Sequence, residues 1–203
     1  MSRLFAIIPA AGQSRRMGRP KLLLNWGGAT VIDHVVRVLR RPEIAATMVV
    51  VRPGDEPLRA AVERSGARVL TPAEPPPEMR DSVEFALTVI DQEFRPLPDD
   101  GWILAPADHP LLAPEVLDDL IARWRQSDCL ILAPAHQGKR GHPVFFRWSL
   151  AAEVLELPKD RGLNALVQRH AQQVVDLPIA DPGVLLDLDT PADYERLTDS
   201  KGL

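Results

Sequence analysis

Four cations crowd one short loop of this chain. Arg15, Arg16, Arg19 and Lys21 stand among Ala10, Ala11, Gly12, Ser14 and Gly18. Small residues let a ligand reach the backbone, and glycine can take the positive φ that turns N–H groups inward. Fixed cations around such a backbone nest suit a triphosphate. A solvated basic turn would carry the same charges. Position favours phosphate binding, because the apolar run Leu4 to Ile8 feeds the loop as a sheet-core strand does. The spacing is neither a P-loop nor a dinucleotide fingerprint: no Lys-Ser/Thr pair follows Gly18, and the Gly-x-Gly-x-x-Gly pattern is absent.

Two acidic elements could complete a site. Asp108 closes the apolar stretch Ile103-Leu104-Ala105-Pro106-Ala107. A carboxylate at the carboxyl end of a strand is placed to hold magnesium, which takes hard oxygen ligands from one or two carboxylates, phosphates and water. An Asx-turn or helix cap ahead of Pro110 and Pro114 is the structural alternative. The second element is Asp187-Leu188-Asp189-Thr190-Pro191. A strand over 184–188 would put Asp187 and Asp189 on one face. Asp189 or Thr190 could equally cap a helix starting at Pro191.

His142 lies in Lys139-Arg140-Gly141-His142-Pro143, where the glycine allows close approach and the flanking cations suit an anionic acceptor. A lone histidine is more often structural. His109 would pack or cap beside Asp108. No His or Cys spacing suggests zinc, and no Gly-x-Ser-x-Gly elbow is present.

The elements that must position these groups alternate. Apolar runs predict strands over 3–8, 47–51, 68–70, 102–105, 129–133, 143–146, 173–177 and 184–188. Helical spacing predicts helices over 31–40, 57–65, 82–93, 114–126, 150–156, 163–170 and 191–197. Thr30 is a candidate cap for the first helix, and Pro114 suits the first position of its own. Such alternation implies an α/β fold with a mostly parallel sheet covered on both faces. Ligands of these sheets sit beyond the strands' carboxyl ends, where the 9–21 loop and Asp108 lie. From 137 to 182 the pattern loosens, and that segment is expected to form a lip over a second substrate.

Composition narrows the function classes. The 203 residues suit a single domain, 1–203, with that excursion, and 45 % hydrophobic content suffices for a full core. A net charge of −4 argues against general nucleic-acid binding and sets the basic loop against an acidic background. The one cysteine, Cys129, reads as a small core residue. No signal peptide or membrane-length apolar segment is visible, which predicts a cytoplasmic protein.

Ordered motifs along the chain resemble the MobA-like nucleotidyltransferases, in particular their molybdenum cofactor cytidylyltransferase branch. The segment Pro9-Ala10-Ala11-Gly12-Gln13-Ser14-Arg15-Arg16-Met17-Gly18-Arg19-Pro20-Lys21 matches that family's opening almost throughout. Pro106-Ala107-Asp108-His109-Pro110 looks like its Gly-Asp-x-Pro metal motif. Arg140-Gly141-His142-Pro143 is similar to an Arg-Gly-His-Pro segment of the molybdopterin-directed branch, as is Asp160-Arg161-Gly162 to an Asp-Arg-Gly that precedes a helix there. Asp187-Leu188-Asp189-Thr190-Pro191-Ala192-Asp193 looks like the closing motif.

The resemblance implies a Rossmann-like three-layer nucleotidyltransferase fold. It also implies transfer of a nucleoside monophosphate from an NTP to a phosphorylated acceptor with release of pyrophosphate. Carried over residue by residue, Arg16, Lys21 and Asp108 are the catalytic set, and Asp108 and Asp189 bind Mg2+. Ala10, Ala11, Gly12, Ser14, Arg16, Gly18, Lys21, Met79 and Ser82 bind the nucleotide. His142 and Arg161 face the acceptor. Ala10-Ala11-Gly12 resembles the CTP-using branch, whereas Ala-Gly-Gly would resemble the GTP-using one. The implied acceptor is molybdopterin, with hand-off to a molybdoenzyme or its chaperone. A sugar or alditol phosphate acceptor keeps the same chemistry, and a nucleotide-binding cofactor chaperone without turnover is the reading from another class. Glu78-Met79-Arg80-Asp81-Ser82-Val83 departs from the family's Gly-Met-x-x-Ser-Leu, and Arg80 and Asp81 are expected to put bulk and charge where the nucleoside sits.

Overall fold

In a computed structural model that describes residues 2–202, one sheet carries the molecule. Its strands and helices run, in chain order, β1 Leu4–Pro9, β2 Asn25–Trp26, β3 Ala29–Thr30, α1 Val31–Val38, β4 Ile44–Val50, α2 Glu56–Ser65, β5 Arg68–Leu70, α3 Met79–Phe94 and β6 Gly101–Leu104. They continue with α4 Pro114–Arg125, β7 Ile131–His136, β8 Lys139–Arg140, β9 Val144–Arg147, α5 Ala151–Leu155, α6 Asn164–Arg169, β10 Val174–Pro178 and α7 Pro191–Lys201. The sheet order is β10-β7-β9-β6-β1-β4-β5, with β8 paired to β7 and β2–β3 forming a separate two-stranded ribbon. β1 pairs in parallel with both β4 and β6, so it is central. β9 runs antiparallel to β6 and β7, which makes the sheet mostly rather than wholly parallel.

Strand β1 shows why three layers form. Side chains alternate across a strand. Leu4, Ala6 and Ile8 join one core with Val35, Val62, Leu120 and Leu197 from α1, α2, α4 and α7. Phe5 and Ile7 join the opposite core with Val83, Leu87, Val154 and Leu166 from α3, α5 and α6. A strand buried on both faces reads as a continuous apolar run. This is the mostly parallel α/β sheet covered on both faces that the alternation of elements predicts, and the Rossmann-like three-layer fold that the family resemblance implies.

Several boundaries differ. Residues 184–188 are not a strand: a 3-10 turn covers Pro182–Leu185 and irregular chain follows. The segment is instead stitched at two points, with His142 N–H donating to Val184 O (2.9 Å) and Leu188 N–H to Asp108 O (2.8 Å). Gly141 is required there, because an added Cβ would lie 2.1 Å from Val184 O. Its close approach is therefore to the chain's own backbone. Helix α3 starts at Met79, three residues before the expected Ser82, because Glu78 and Asp81 form a reciprocal capping box. The 137–182 segment, despite its loosened pattern, supplies β9 and β10 to the sheet. Cys129 is half-buried ahead of β7, with its Sγ 3.1 Å from Ser127 Oγ.

Candidate active site

The loop after β1 curls back on itself. Met17 and Gly18 N–H groups donate to Ser14 O, both at 3.1 Å. Gly18 takes the expected positive φ of 70°, but Gly12 does not, and Ser14 (φ 49°) takes the second left-handed position. Serine tolerates it here while its Oγ accepts from Lys21 N–H at 3.3 Å. That hydrogen bond closes the loop and sets the Lys21 side chain.

Lys21 is the hub of the site. Its Nζ donates to Asp108 Oδ2 at 2.7 Å and to Asp189 Oδ1 at 2.8 Å. Arg16 reaches the other oxygen of Asp189 at 2.8 Å. The lysine side chain is 15 % exposed and the two aspartates 25 % and 18 %. Burial works against the charge on Lys21, but the charges and hydrogen bonds of Asp108 and Asp189 outweigh it and raise its pKa. Asp189 moves the other way. Burial raises it, and Lys21, Arg16 and Asp187 bring it net below the usual carboxylate value.

Three distant segments thus meet at one ammonium. β1's loop brings Lys21, the turn after β6 brings Asp108, and the chain entering α7 brings Asp189. Asp189 is held at the mouth of α7 because Thr190 and Asp193 form that helix's capping box, Thr190 Oγ1 accepting from Asp193 N–H at 3.2 Å. Thr190, not Asp189, is the cap, which leaves the Asp189 carboxylate free for the site.

A cleft of about 360 Å³ opens over this cluster. Ala10, Ala11, Gly12, Ser14, Arg16, Lys21, Met79, Ser82, Asp108 and Asp189 all line it. Pro76, Pro77 and Glu78 complete its wall. Gly18 lines the neighbouring cleft on the loop's other side. Arg80 and Asp81 do not enter the cleft. Asp81 Oδ2 accepts from Glu78 N–H at 2.8 Å, and Arg80 points to the 158–161 turn. The bulk expected against the nucleoside is therefore turned away by the phase of the helix.

His142 and Arg161 lie outside that lining. The His142 ring meets His109 edge-on, with centroids 5.0 Å apart, and His109 Nε2 is 3.9 Å from Asp108 Oδ1. Both histidines bury an Nδ1 with no hydrogen-bond partner. Burial and the neighbouring His109 charge push His142 down to about 4, so its imidazole is neutral at pH 7. Of its flanking cations, Arg140 is turned away, pairing with Asp176 at 2.6 Å across β8 and β10. Arg161 is exposed on the turn before α6. Sequence reasoning missed the histidine pair, because nothing local links positions 109 and 142.

Asp108 and Asp189 suit a divalent cation by donor chemistry. Their carboxylates converge on one ammonium and so can converge on one metal ion. No cluster of three or more His, Cys, Asp or Glu poised to hold a metal occurs among the described residues. Two carboxylates with the rest supplied by phosphate and water is the ordinary environment of magnesium. No helix among the described residues is long and apolar enough to cross a membrane.

Comparison with known proteins places the chain in a family. The MobA-like NTP transferase domain matches residues 6–174. A molybdenum cofactor cytidylyltransferase of Escherichia coli K12 is 23 % identical over 203 residues, covering 98 % of this chain and 100 % of its own. A probable molybdenum cofactor guanylyltransferase of Mycobacterium avium is 27 % identical over 207 residues, covering 98 % and 96 %. The crystal structure of Rv0371c from Mycobacterium tuberculosis H37Rv superposes with a TM-score of 0.80 at 29 % identity, covering 98 % and 99 %. That protein has also been solved in complex with manganese, at a TM-score of 0.77, 28 % identity and coverage of 98 % and 100 %.

Proposed function

The chain belongs to the MobA-like NTP transferase family and is a nucleotidyltransferase; from that premise we propose that it transfers CMP from CTP to molybdopterin and releases pyrophosphate. An oxygen of the acceptor phosphate attacks the α-phosphorus, and the bond from that phosphorus to the β-phosphate bridge oxygen breaks. Such transfers depend on positioning and charge neutralisation more than on covalent help. No strong general base is needed for an acceptor that is already an anion.

The observation that carries the reading is the Arg16–Lys21–Asp108–Asp189 cluster beneath a cleft of nucleotide size. Lys21 and Arg16 hold and neutralise the triphosphate. The 10–14 backbone and Ser14 hold phosphate, while Met79 and Ser82 wall the nucleoside. Magnesium held by Asp108 and Asp189 would supply charge for the leaving pyrophosphate. The acceptor lies toward His142 and Arg161, of which Arg161 brings the positive charge.

Ala10-Ala11-Gly12 supports CTP, since the methyl of Ala11 narrows the cleft toward a pyrimidine. A relative at 23 % identity is named a cytidylyltransferase, and one at 27 % a guanylyltransferase, so GTP is the reading that competes. Mass spectrometry of the product separates the two. A cytidine-diphosphate-linked pterin supports the proposal; a guanosine-linked one overturns the base.

A further inference from the structure

Arg80 is one of three buried polar or charged residues among those described, at 7 % exposure. A guanidinium in the first turn of a helix would ordinarily snorkel to water. Burying it costs stability unless it is paired and hydrogen-bonded. Here it is both. It pairs with Glu84 one turn on, and its Nη1 donates to Pro158 O and to Arg161 O, the latter at 3.3 Å.

The two carbonyls belong to one turn. Residues 158–162 are exposed, and the turn is pinned at its ends by Leu157 and Leu163, which are 4 % and 6 % exposed. Those leucines share a core cluster with Val83 of α3. Arg161 N–H also donates to Pro158 O at 2.9 Å, so the turn is closed on the atom Arg80 grips. It presents two exposed cations, Lys159 and Arg161. On the other side of Arg80, Met79 and Ser82 line the main cleft.

We infer that Arg80 is a positioning residue, which clamps the basic 158–162 turn to the nucleotide wall and so fixes where a phosphorylated acceptor is held. Its role as an acceptor clamp rests on the proposed function; the clamp itself does not. One nitrogen of the guanidinium, Nη1, takes both carbonyls while Nε and Nη2 hold Glu84, a spread of donors that the single point of an ammonium does not match. Nucleotide contacts should be little affected, since Arg80 touches none of the cleft.

The test compares wild type with R80M and R80K, after thermal melts confirm folding. Hydrogen–deuterium exchange over 158–163 is read in nucleotide-free protein, and KM is read separately for acceptor and CTP. Expected in R80M are faster exchange in that turn and an acceptor KM raised about tenfold, with the KM for CTP changed less than about twofold. R80K should recover part of both effects. Unchanged exchange and unchanged acceptor KM in folded R80M overturn the inference. Should R80M fail to fold, R80K decides, because its ammonium ends one bond short of Nη1 and holds the turn more weakly; exchange equal to wild type then overturns the clamp. A wild type without turnover would overturn the proposed function and leave the exchange result to judge the clamp alone.

Discussion

Asp108 and Asp189 are joined through one ammonium, Lys21 Nζ standing 2.7 Å from the first and 2.8 Å from the second. Without a cation, two carboxylates that close would repel. Lysine supplies that cation within the chain. In the proposed function the same side chain meets the triphosphate, so binding metal and nucleotide would exchange these ion pairs for others.

Removal of the Asp108 charge should stop turnover without unfolding the protein. Asp108→Asn keeps the shape and loses the anion. Pyrophosphate release is expected to fall about 100-fold or more, with a melting temperature close to wild type. Full activity in this variant would remove Asp108 from the site.

Lys21→Ala should separate metal from nucleotide. The competing ammonium is gone, so manganese binding to nucleotide-free protein is expected to tighten by about three- to tenfold, read from the free-ion electron paramagnetic resonance signal. Nucleotide affinity is expected to weaken about tenfold in the same variant. Manganese affinity equal to or below wild type would contradict the bridging role of Lys21.

His142 gives a pH dependence with a defined sign. Its folded value of about 4 lies below the ordinary 6.5. Between those values the unfolded chain binds more protons, so stability falls as pH drops from about 6.5 to about 4. An NMR titration should find the imidazole neutral at pH 5.5, and His142→Gln should flatten the acid limb of the stability curve. A His142 that protonates near pH 6.5 would show that its ring is not sequestered.

The cap of α7 should matter to the site as well as the helix. Thr190→Ala removes the side-chain acceptor and is expected to cost about 1 kcal/mol of stability. Thr190 and then Arg196 hold the Asp193 carboxyl down to about 2. Its contribution is therefore full above about pH 4 and is lost as pH falls through about 2. Because Asp189 precedes this cap, T190A should also weaken manganese binding. Unchanged denaturant midpoints would show that the cap contributes nothing.

Much of this architecture is legible in the sequence, and the misses share a cause. β1 is readable because a central strand buried on both faces needs an unbroken apolar run. Lys21, Asp108 and Asp189 are readable because each sits in a distinctive motif, Lys21 in the loop after β1, Asp108 after β6 and Asp189 at the mouth of α7. The 184–188 segment carries strand-like alternation, yet two long-range hydrogen bonds to His142 and Asp108 decide its shape. Arg80 is misplaced by sequence reasoning because its direction depends on where α3 begins. Glu78 and Asp81, at capping-box spacing, were the signal for that start. Ser14 holds the left-handed position expected of Gly12, since closure by Lys21 N–H, a tertiary contact, favours it.

The most direct measurement is pyrophosphate release by the wild-type protein with magnesium, molybdopterin and, in turn, CTP, GTP, ATP and UTP. Release with CTP well above the other three is the expected result. Release with GTP instead would keep the mechanism and overturn the base assignment. No release with any nucleotide, from folded protein that binds one, would contradict the proposed transfer to molybdopterin.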